Sequence, residues 1–176
     1  MIATSVIPAK AGTQLKQRNW VHAFTGMTMM LLAAPALAQD KQPPYWASIA
    51  SGQAMTRNGP ARTYPGKWLY QRRDLPVRVV QKYQNWRLIQ DPDGEKGWML
   101  VTLLSDKRTV MVKPGDPRPI YRDPSSSSRL KYRAEAGVVG HIDHCKAGWC
   151  HISVGSREGY IATGDLWGVD PYEVVD

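Results

Sequence analysis

The stretch WRLIQDPDGEKGWMLVTLL, residues 86–104, decides the fold of this 176-residue chain. It joins two short runs of strand-forming residues, 86–90 and 97–100, through the turn sequence Asp91-Pro92-Asp93-Gly94. Proline, aspartate and glycine between two such runs are typical of a hairpin, because these residues adopt the backbone angles of tight turns. The stretch therefore predicts an antiparallel pair of strands.

A second copy of this pattern begins 63 residues later, with WCHISVGSREGYIATGDL at residues 149–166. With one gap in the hairpin, the aligned positions are Trp86 with Trp149, Ile89 with Ile152, Gly97-Trp98 with Gly159-Tyr160, and Leu104 with Leu166. A period of this length that occurs twice indicates a duplicated domain and not a solenoid. We predict a linker at 39–44 and two units at 45–112 and 113–176, with the boundary near the turn-forming residues 113–117.

The rest of the chain after residue 44 also favours strands. Short strand-forming runs recur at 77–80, 138–139, 151–154 and 160–162, and no stretch keeps the apolar spacing of a helix over three turns. Glycine and proline recur between the runs, as they do in small β-sandwiches and barrels. The predicted fold class is therefore all-β, with two small barrels in tandem.

The N-terminus has the composition of an export signal. Residues 21–38, VHAFTGMTMMLLAAPALA, form an apolar run after Lys16 and Arg18 and end in Ala36-Leu37-Ala38. Signal peptidase accepts small residues at these last positions, and the run is shorter than the roughly 20 residues that cross a bilayer as a helix. We expect a signal peptide at 1–38, no transmembrane segment in the mature chain, and a periplasmic or secreted location.

Several short motifs resemble the bacterial SH3-like (SH3b) family of exported proteins. In the first copy they are Arg57-Asn58-Gly59-Pro60, the run 77–80, Asn85-Trp86, Gly97-Trp98 and Leu103-Leu104. The second copy is more divergent and ends in Asp165-Leu166-Trp167-Gly168. The resemblance implies one half-open barrel per copy, used as a binding module, and some relatives attach cell-wall hydrolases to peptidoglycan.

The alternation of side chains along a strand indicates where a ligand would bind. Trp86 and Trp149 each lie an odd number of positions before an isoleucine, so the tryptophans face outward if the isoleucines fill the core. An outward tryptophan suits a peptide or sugar groove, although small barrels also use aromatic residues to cover their open ends. Tyr64 and Trp68 would form the opposite wall, with Arg62 at its rim. The candidate ligand-binding residues are Arg62, Tyr64, Trp68, Trp86, Trp149 and His151.

Cysteine and histidine are concentrated in the segment HIDHCKAGWCH, residues 141–151. In an exported protein, two cysteines that flank a hairpin turn favour a Cys145–Cys150 disulfide, which contributes about 2 kcal/mol in the chain-entropy model. One alternative is a zinc or copper site, although the spacing differs from the C-x-x-C of structural zinc sites. The other is a cysteine nucleophile activated by histidine. We predict the disulfide, no metal site and no cofactor.

The formal net charge of +8 comes mainly from an excess of basic residues before residue 113. Such an excess either keeps the surface soluble or attracts anionic wall material, lipid head groups or an acidic partner. Export disfavours nucleic acid as the partner. The sequence holds no G-x-S-x-G, H-E-x-x-H, Walker or dinucleotide-binding motif, so no enzyme is predicted.

We therefore expect a noncatalytic, exported binding protein that recognises a peptide-like or cell-wall (peptidoglycan) ligand through aromatic and basic barrel surfaces. Its partner would be a cell-wall glycopeptide or a periplasmic protein. Two alternatives remain open. One is a structural or assembly subunit of an envelope complex, and the other is a metal-binding or redox protein that uses the Cys–His segment.

Overall fold

The computed structural model of the protein describes residues 41–176, which consist of strands, turns and two single turns of 3-10 helix. The first seven strands are β1 Tyr45–Ile49, β2 Ala54–Arg57, β3 Gly66–Tyr70, β4 Pro76–Tyr83, β5 Trp86–Gln90, β6 Lys96–Leu100 and β7 Leu104–Ser105. The next seven are β8 Thr109–Val112, β9 Arg118–Tyr121, β10 Leu130–Ala134, β11 Val139–Lys146, β12 Trp149–Val154, β13 Arg157–Ala162 and β14 Leu166–Trp167. The predicted signal peptide, residues 1–38, lies outside the described residues.

The two sets of strands form two sheets with the same topology. The strand order is β3-β2-β6-β5-β4-β1-β7 in the first sheet and β10-β9-β13-β12-β11-β8-β14 in the second. The 3-10 turns, Val101–Leu103 and Thr163–Asp165, precede the last strand of each sheet. The predicted all-β class and the duplication are confirmed. Within residues 41–176, no helix has the length and apolarity needed to cross a membrane.

Each sheet encloses its own apolar core. The central residues of the first core are Ile49, Val77, Val79, Ile89 and Met99, and those of the second are Val110, Ile120, Cys150, Ile152 and Ile161. Ile89 pairs with Gly97 across β5 and β6, and Ile152 pairs with Gly159 across β12 and β13. The positions aligned in the sequence repeat are therefore equivalent in the structure.

Asp91 organises the hairpin between β5 and β6. Its Oδ1 accepts hydrogen bonds from the backbone N–H groups of Asp93 at 3.0 Å and Glu95 at 2.8 Å. Its Oδ2 accepts one from the Tyr70 hydroxyl at 2.9 Å. Burial and the neighbouring Asp91 carboxylate raise the pKa of Tyr70. Residues 91–94 are a hairpin turn, as the sequence predicts.

Cys145 and Cys150 form a disulfide. The two residues are paired across β11 and β12, and both are buried in the second core. Between them, Ala147 and Gly148 have φ angles of 52° and 82°. Two consecutive positive φ angles are what a two-residue hairpin turn needs. The predicted disulfide is confirmed, and it closes the hairpin from which the strand of Trp149 starts.

The chain passes from the first sheet to the second between Ser105 and Thr109. Strand β8 pairs with β11 and β14 of the second sheet, whereas the predicted boundary assigned residues 109–112 to the first unit. The connecting residues 106–108 contain neither glycine nor proline, the residues on which the predicted boundary rested. The turn-forming residues 113–117 lie instead between β8 and β9, inside the second sheet.

The two barrels pack against each other within one compact unit, Gln39–Asp176. Trp46 of β1 contacts Trp167 of β14 in a T-shaped arrangement, with the ring centroids 5.0 Å apart. The Arg78 guanidinium lies 5.4 Å from the centroid of the Trp46 ring and 3.7 Å from Asp170 Oδ1. The Trp46–Trp167 contact and the Arg78–Asp170 ion pair therefore connect the two sheets, and the cation–π contact lies within the first sheet.

Glu173 holds the C-terminal segment in place. Its carboxylate accepts hydrogen bonds from the Arg108 guanidinium at 2.7 and 3.1 Å and from the Asp170 N–H at 2.9 Å. Burial alone raises the pKa of Glu173, but the Arg108 and Asp170 donors outweigh burial and keep the pKa below its ordinary value. The ionised carboxylate therefore stabilises the fold.

We predict that Glu173→Gln lowers the free energy of unfolding by about 1–3 kcal/mol at pH 7, the range for a charge-assisted hydrogen bond. A lowered carboxylate pKa stabilises the fold above the unfolded pKa of about 4.3, and this contribution is lost as the pH falls through the folded pKa. Urea unfolding at pH 7 and near pH 2.5 measures the difference, with the exposed Glu135→Gln as control. An equal difference at both pH values would contradict the prediction.

Candidate functional site

Trp86 lies on the outer face of the first sheet, but it is covered. The pairing of β5 with β6 is regular, so Trp86 and Ile89 face opposite sides, as predicted. Only 8% of Trp86 is exposed, so the expectation that its indole faces solvent is wrong. The reason is that neighbouring side chains close around the ring. Trp86 lines a pocket of about 220 Å³ together with Met55, Arg57, Arg62, Leu100 and Leu103.

Tyr64 and Trp68, the predicted opposite wall, are not among the residues that line this pocket. Tyr64 is 46% exposed, and its carbonyl oxygen accepts a hydrogen bond from the Arg57 guanidinium at 2.7 Å. Trp68 is 52% exposed on the edge strand β3, where it alternates with Leu69, the residue paired with Met55. Trp68 therefore forms no wall of the pocket.

The equivalent face of the second sheet carries a surface of five rings. Trp149 contacts Tyr121 edge-on, with the ring centroids 5.8 Å apart. The His151 ring lies 4.8 Å from the Tyr160 ring and stacks in parallel on His144 at 5.3 Å. Tyr160 is also the residue of β13 that pairs with Tyr121 of β9. We call these residues the aromatic surface: Tyr121, His144, Trp149, His151 and Tyr160.

Hydrogen bonds orient the two imidazoles of the aromatic surface. The His151 Nδ1–H donates to Asp143 Oδ2 at 2.9 Å. Because a carboxylate accepts, Nδ1 carries the proton of this bond, and Nε2 is the second polar atom of the ring. The His144 Nε2 and the Tyr160 hydroxyl are hydrogen-bonded at 3.2 Å, and the Ser153 hydroxyl donates to Asp143 Oδ1 at 3.5 Å. The surface therefore combines ring faces with fixed polar groups.

Sequence reasoning identified Trp149 and His151 but missed the other three rings. Tyr160 had a usable signal, since it occupies the position aligned with Trp98 in the repeat. Tyr121 and His144 had none, because their places depend on how β9 and β11 pair with strands that follow later in the chain. A bulge in β11 between Ile142 and His144 also shifts the register there, which alternation alone does not reveal.

The histidines do not form a single cluster. The His141 Nε2 lies 3.8 Å from the Asp74 carboxylate of the first barrel, apart from His144 and His151. Both cysteines are used in the disulfide, whereas the alternative metal-site and nucleophile hypotheses require thiolates. In the part of the chain that the structure describes, no group of three or more His, Cys, Asp or Glu residues is arranged to hold a metal ion.

Two segments of the chain, residues 50–106 and 115–168, match the family model described as the bacterial SH3 domain. The chain belongs to the bacterial SH3 domain family. The first segment covers β2 to β7 and the second covers β9 to β14, so each sheet is one SH3 domain. The resemblance noted from the sequence motifs is thus confirmed. No curated protein matches the chain.

Solved structures show only a distant likeness to this tandem SH3 protein. NlpC2 from Trichomonas vaginalis is 15% identical with a TM-score of 0.31, and the match covers 74% of this chain and 52% of that one. An NlpC/P60 family protein from Bacillus cereus ATCC 10987 is 14% identical with a TM-score of 0.30, and the match covers 69% of this chain and 55% of that one. The chain spans about half the length of these proteins.

Membership of the bacterial SH3 family indicates a binding role, which such domains often direct at peptidoglycan. The two SH3 domains present different surfaces at equivalent places. Trp149 corresponds to Trp86, and Tyr121 corresponds to Arg57, because Tyr121 pairs with Tyr160 and Arg57 pairs with Trp98. The second domain thus exposes rings where the first has a small pocket beside arginine.

Proposed function

We propose that this protein is a noncatalytic, exported binding protein that recognises a cell-wall glycopeptide. The aromatic surface of the second SH3 domain would be its main site, and the Trp86 pocket would be the counterpart in the first. The five rings of the aromatic surface, ordered by Asp143, are the observation that carries this proposal.

The chemistry of the two surfaces matches the parts of a glycopeptide. Aromatic ring faces pack on the apolar faces of sugars and on aliphatic side chains, and the His151 Nε2 can hydrogen-bond to a hydroxyl or amide group. In the first domain, Arg57 and Arg62 lie beside the apolar side chains of the pocket. A guanidinium in that setting suits a peptide carboxylate. Two weak sites on one chain add to each other through effective concentration.

The proposed location is the periplasm or the exterior of the cell. The buried Cys145–Cys150 disulfide supports export, because disulfides form and persist in oxidising compartments. The export signal predicted at residues 1–38 fits the same location. Reducing conditions would remove a covalent constraint from the hairpin that leads into Trp149.

We predict that Trp149→Ala weakens binding to purified peptidoglycan by about tenfold or more. Truncation of an aromatic residue at the centre of a binding site costs more than about 1.4 kcal/mol, which corresponds to a factor of ten. Cosedimentation of the full chain with insoluble peptidoglycan measures the effect. Circular dichroism of the variant checks that the second domain stays folded.

Trp68→Ala is the matched control, because it removes an exposed indole that lies outside both surfaces. This variant should bind peptidoglycan as the wild type does. Unchanged binding by Trp149→Ala, or an equal loss in both variants, would contradict the proposal. Trp86→Ala then reports on the first domain, provided that loss of this buried indole leaves the fold intact.

A second candidate function is that of an assembly subunit of an envelope complex, and edge strand β3 favours it. Gly66, Lys67, Trp68 and Leu69 of this strand are all exposed, and Met55 beside them is 41% exposed. An apolar edge strand offers backbone hydrogen-bonding groups and side chains to a strand of a partner. This function would show as stoichiometric copurification of another envelope protein, lost in Trp68→Ala while peptidoglycan binding is retained.

A further inference from the structure

A cleft of about 890 Å³ opens in the second SH3 domain and shares no lining residue with the aromatic surface. One wall comes from β10 and the loop before it, and the other from the hairpin between β12 and β13. We call it the basic cleft, and its lining residues are Arg122, Arg129, Leu130, Lys131, Tyr132, Ser156, Arg157 and Glu158. Four cationic side chains therefore face a single carboxylate.

The four cations of the basic cleft form no ion pair with the residues that the structure describes. Among residues 41–176, none of them has a carboxylate oxygen within the 4.0 Å of an ion pair. In the first domain, by contrast, Lys67 forms an ion pair with Glu95. The basic cleft therefore gathers four cations that have no paired carboxylate among the described residues.

The repeat supplies an internal comparison for this cleft. The strand registers make Lys131 of β10 the counterpart of Lys67 of β3, and Arg157 of β13 the counterpart of Glu95. In the first domain, Lys67 Nζ and Glu95 Oε2 form an ion pair of 3.0 Å, and the pKa of Glu95 is lowered by its bond to Lys67. In the second domain, a guanidinium replaces that carboxylate. An ion pair in one copy has become a pair of cations in the other.

The Arg157 side chain contacts Tyr132, another lining residue of the basic cleft. Its guanidinium lies 5.9 Å from the centroid of the Tyr132 ring, within the range of a cation–π contact. This contact places the guanidinium beside the Tyr132 ring, and a guanidinium offers five N–H donors to a ligand.

We propose that the basic cleft binds a multiply charged oxyanion, that is, a ligand with carboxylate or phosphate groups. Guanidinium groups bind both through paired N–H donors, and uncompensated positive charge in a concave site raises the local concentration of anions. The volume of about 890 Å³ accommodates a small organic ligand or a segment of an anionic polymer. This site is independent of the proposed peptidoglycan binding by the aromatic surface.

The test uses the full chain and two probes, inorganic tripolyphosphate and citrate, in calorimetric titrations at low and physiological salt. We expect saturable binding of at least one probe, weakened by salt. Arg157→Glu places a carboxylate where the first domain has Glu95 and should lower the affinity by about tenfold or more. Lys131→Gln, on the opposite wall, should lower it as well. Binding of tripolyphosphate alone assigns phosphate, and binding of citrate alone assigns carboxylate.

Arg73→Glu is the matched control, because it makes the same change in net charge at an exposed turn of the first domain. At physiological salt it should keep the affinity within about twofold of the wild type, since Arg73 does not line the basic cleft and salt screens exposed charges. No saturable binding of either probe would overturn the proposal. An equal loss of affinity in Arg157→Glu and Arg73→Glu would also overturn it, because net charge alone would then explain the binding.

Discussion

Gly159→Ala should lower the free energy of unfolding of the second domain by about 3 kcal/mol, at the upper end of overpacking effects. A β-carbon at this position would lie 2.6 Å from Ile120 Cγ2 and 2.7 Å from the Tyr121 carbonyl oxygen. Ile120 is fully buried and the carbonyl belongs to the backbone of β9, so neither has room to yield. Strands β9 and β13 would have to move apart. Urea-induced unfolding measures the loss.

The same substitution at two other glycines calibrates this effect. Gly97→Ala in the first domain brings a β-carbon to 2.6 Å from the Cβ of the buried Thr56, so it should also be destabilising. At Gly164 no atom lies within 4 Å of an added β-carbon, so Gly164→Ala should change stability by less than about 0.5 kcal/mol. If Gly159→Ala had only the small effect that we expect of Gly164→Ala, strand β9 would be free to shift away from the added β-carbon. That result would contradict the prediction.

These glycines show how far the sequence alone could predict the fold. The recurring Gly-aromatic pair at 97–98 and 159–160 marked the duplication. The close approach of the neighbouring strand, β2 or β9, is the physical reason for a glycine at each place. The hairpins and the disulfide were predictable because they depend on residues near one another in the chain. The turn-forming residues 91–94 determine their own hairpin, and the two cysteines lie on either side of one two-residue turn.

The site was less predictable because it depends on contacts between distant strands. Alternation correctly placed Trp86 on the outer face, but it could not show that Met55, Arg57 and Arg62, from β2 and the following loop, close around the ring. Counting charges placed the positive excess in the first domain. The register between β10 and β9 was needed to bring Lys131 into the basic cleft, a cluster that has no pattern along the chain.

Trp46→Ala should lower the free energy of unfolding by about 3–5 kcal/mol, the usual cost of truncating a buried large aromatic residue. Only 8% of Trp46 is exposed, and its ring contacts Trp167 of the second domain and the Arg78 guanidinium. Because this ring connects the two sheets, we expect a single cooperative transition in the wild type and its loss in the variant. Calorimetry should then show one transition for each domain.

Trp68→Ala again provides the control, since it removes an indole that is 52% exposed and should cost less than about 1 kcal/mol. Trp167→Ala, from the other side of the interface, should reproduce the separation of transitions. The double variant should then lose less stability than the sum of the single variants, because both remove the same contact. Additive losses with one retained transition would show that the indoles stabilise each domain separately. In that case Arg72, Arg78 and His141 would be left to hold the domains together through their contacts with Gly137, Asp170 and Asp74.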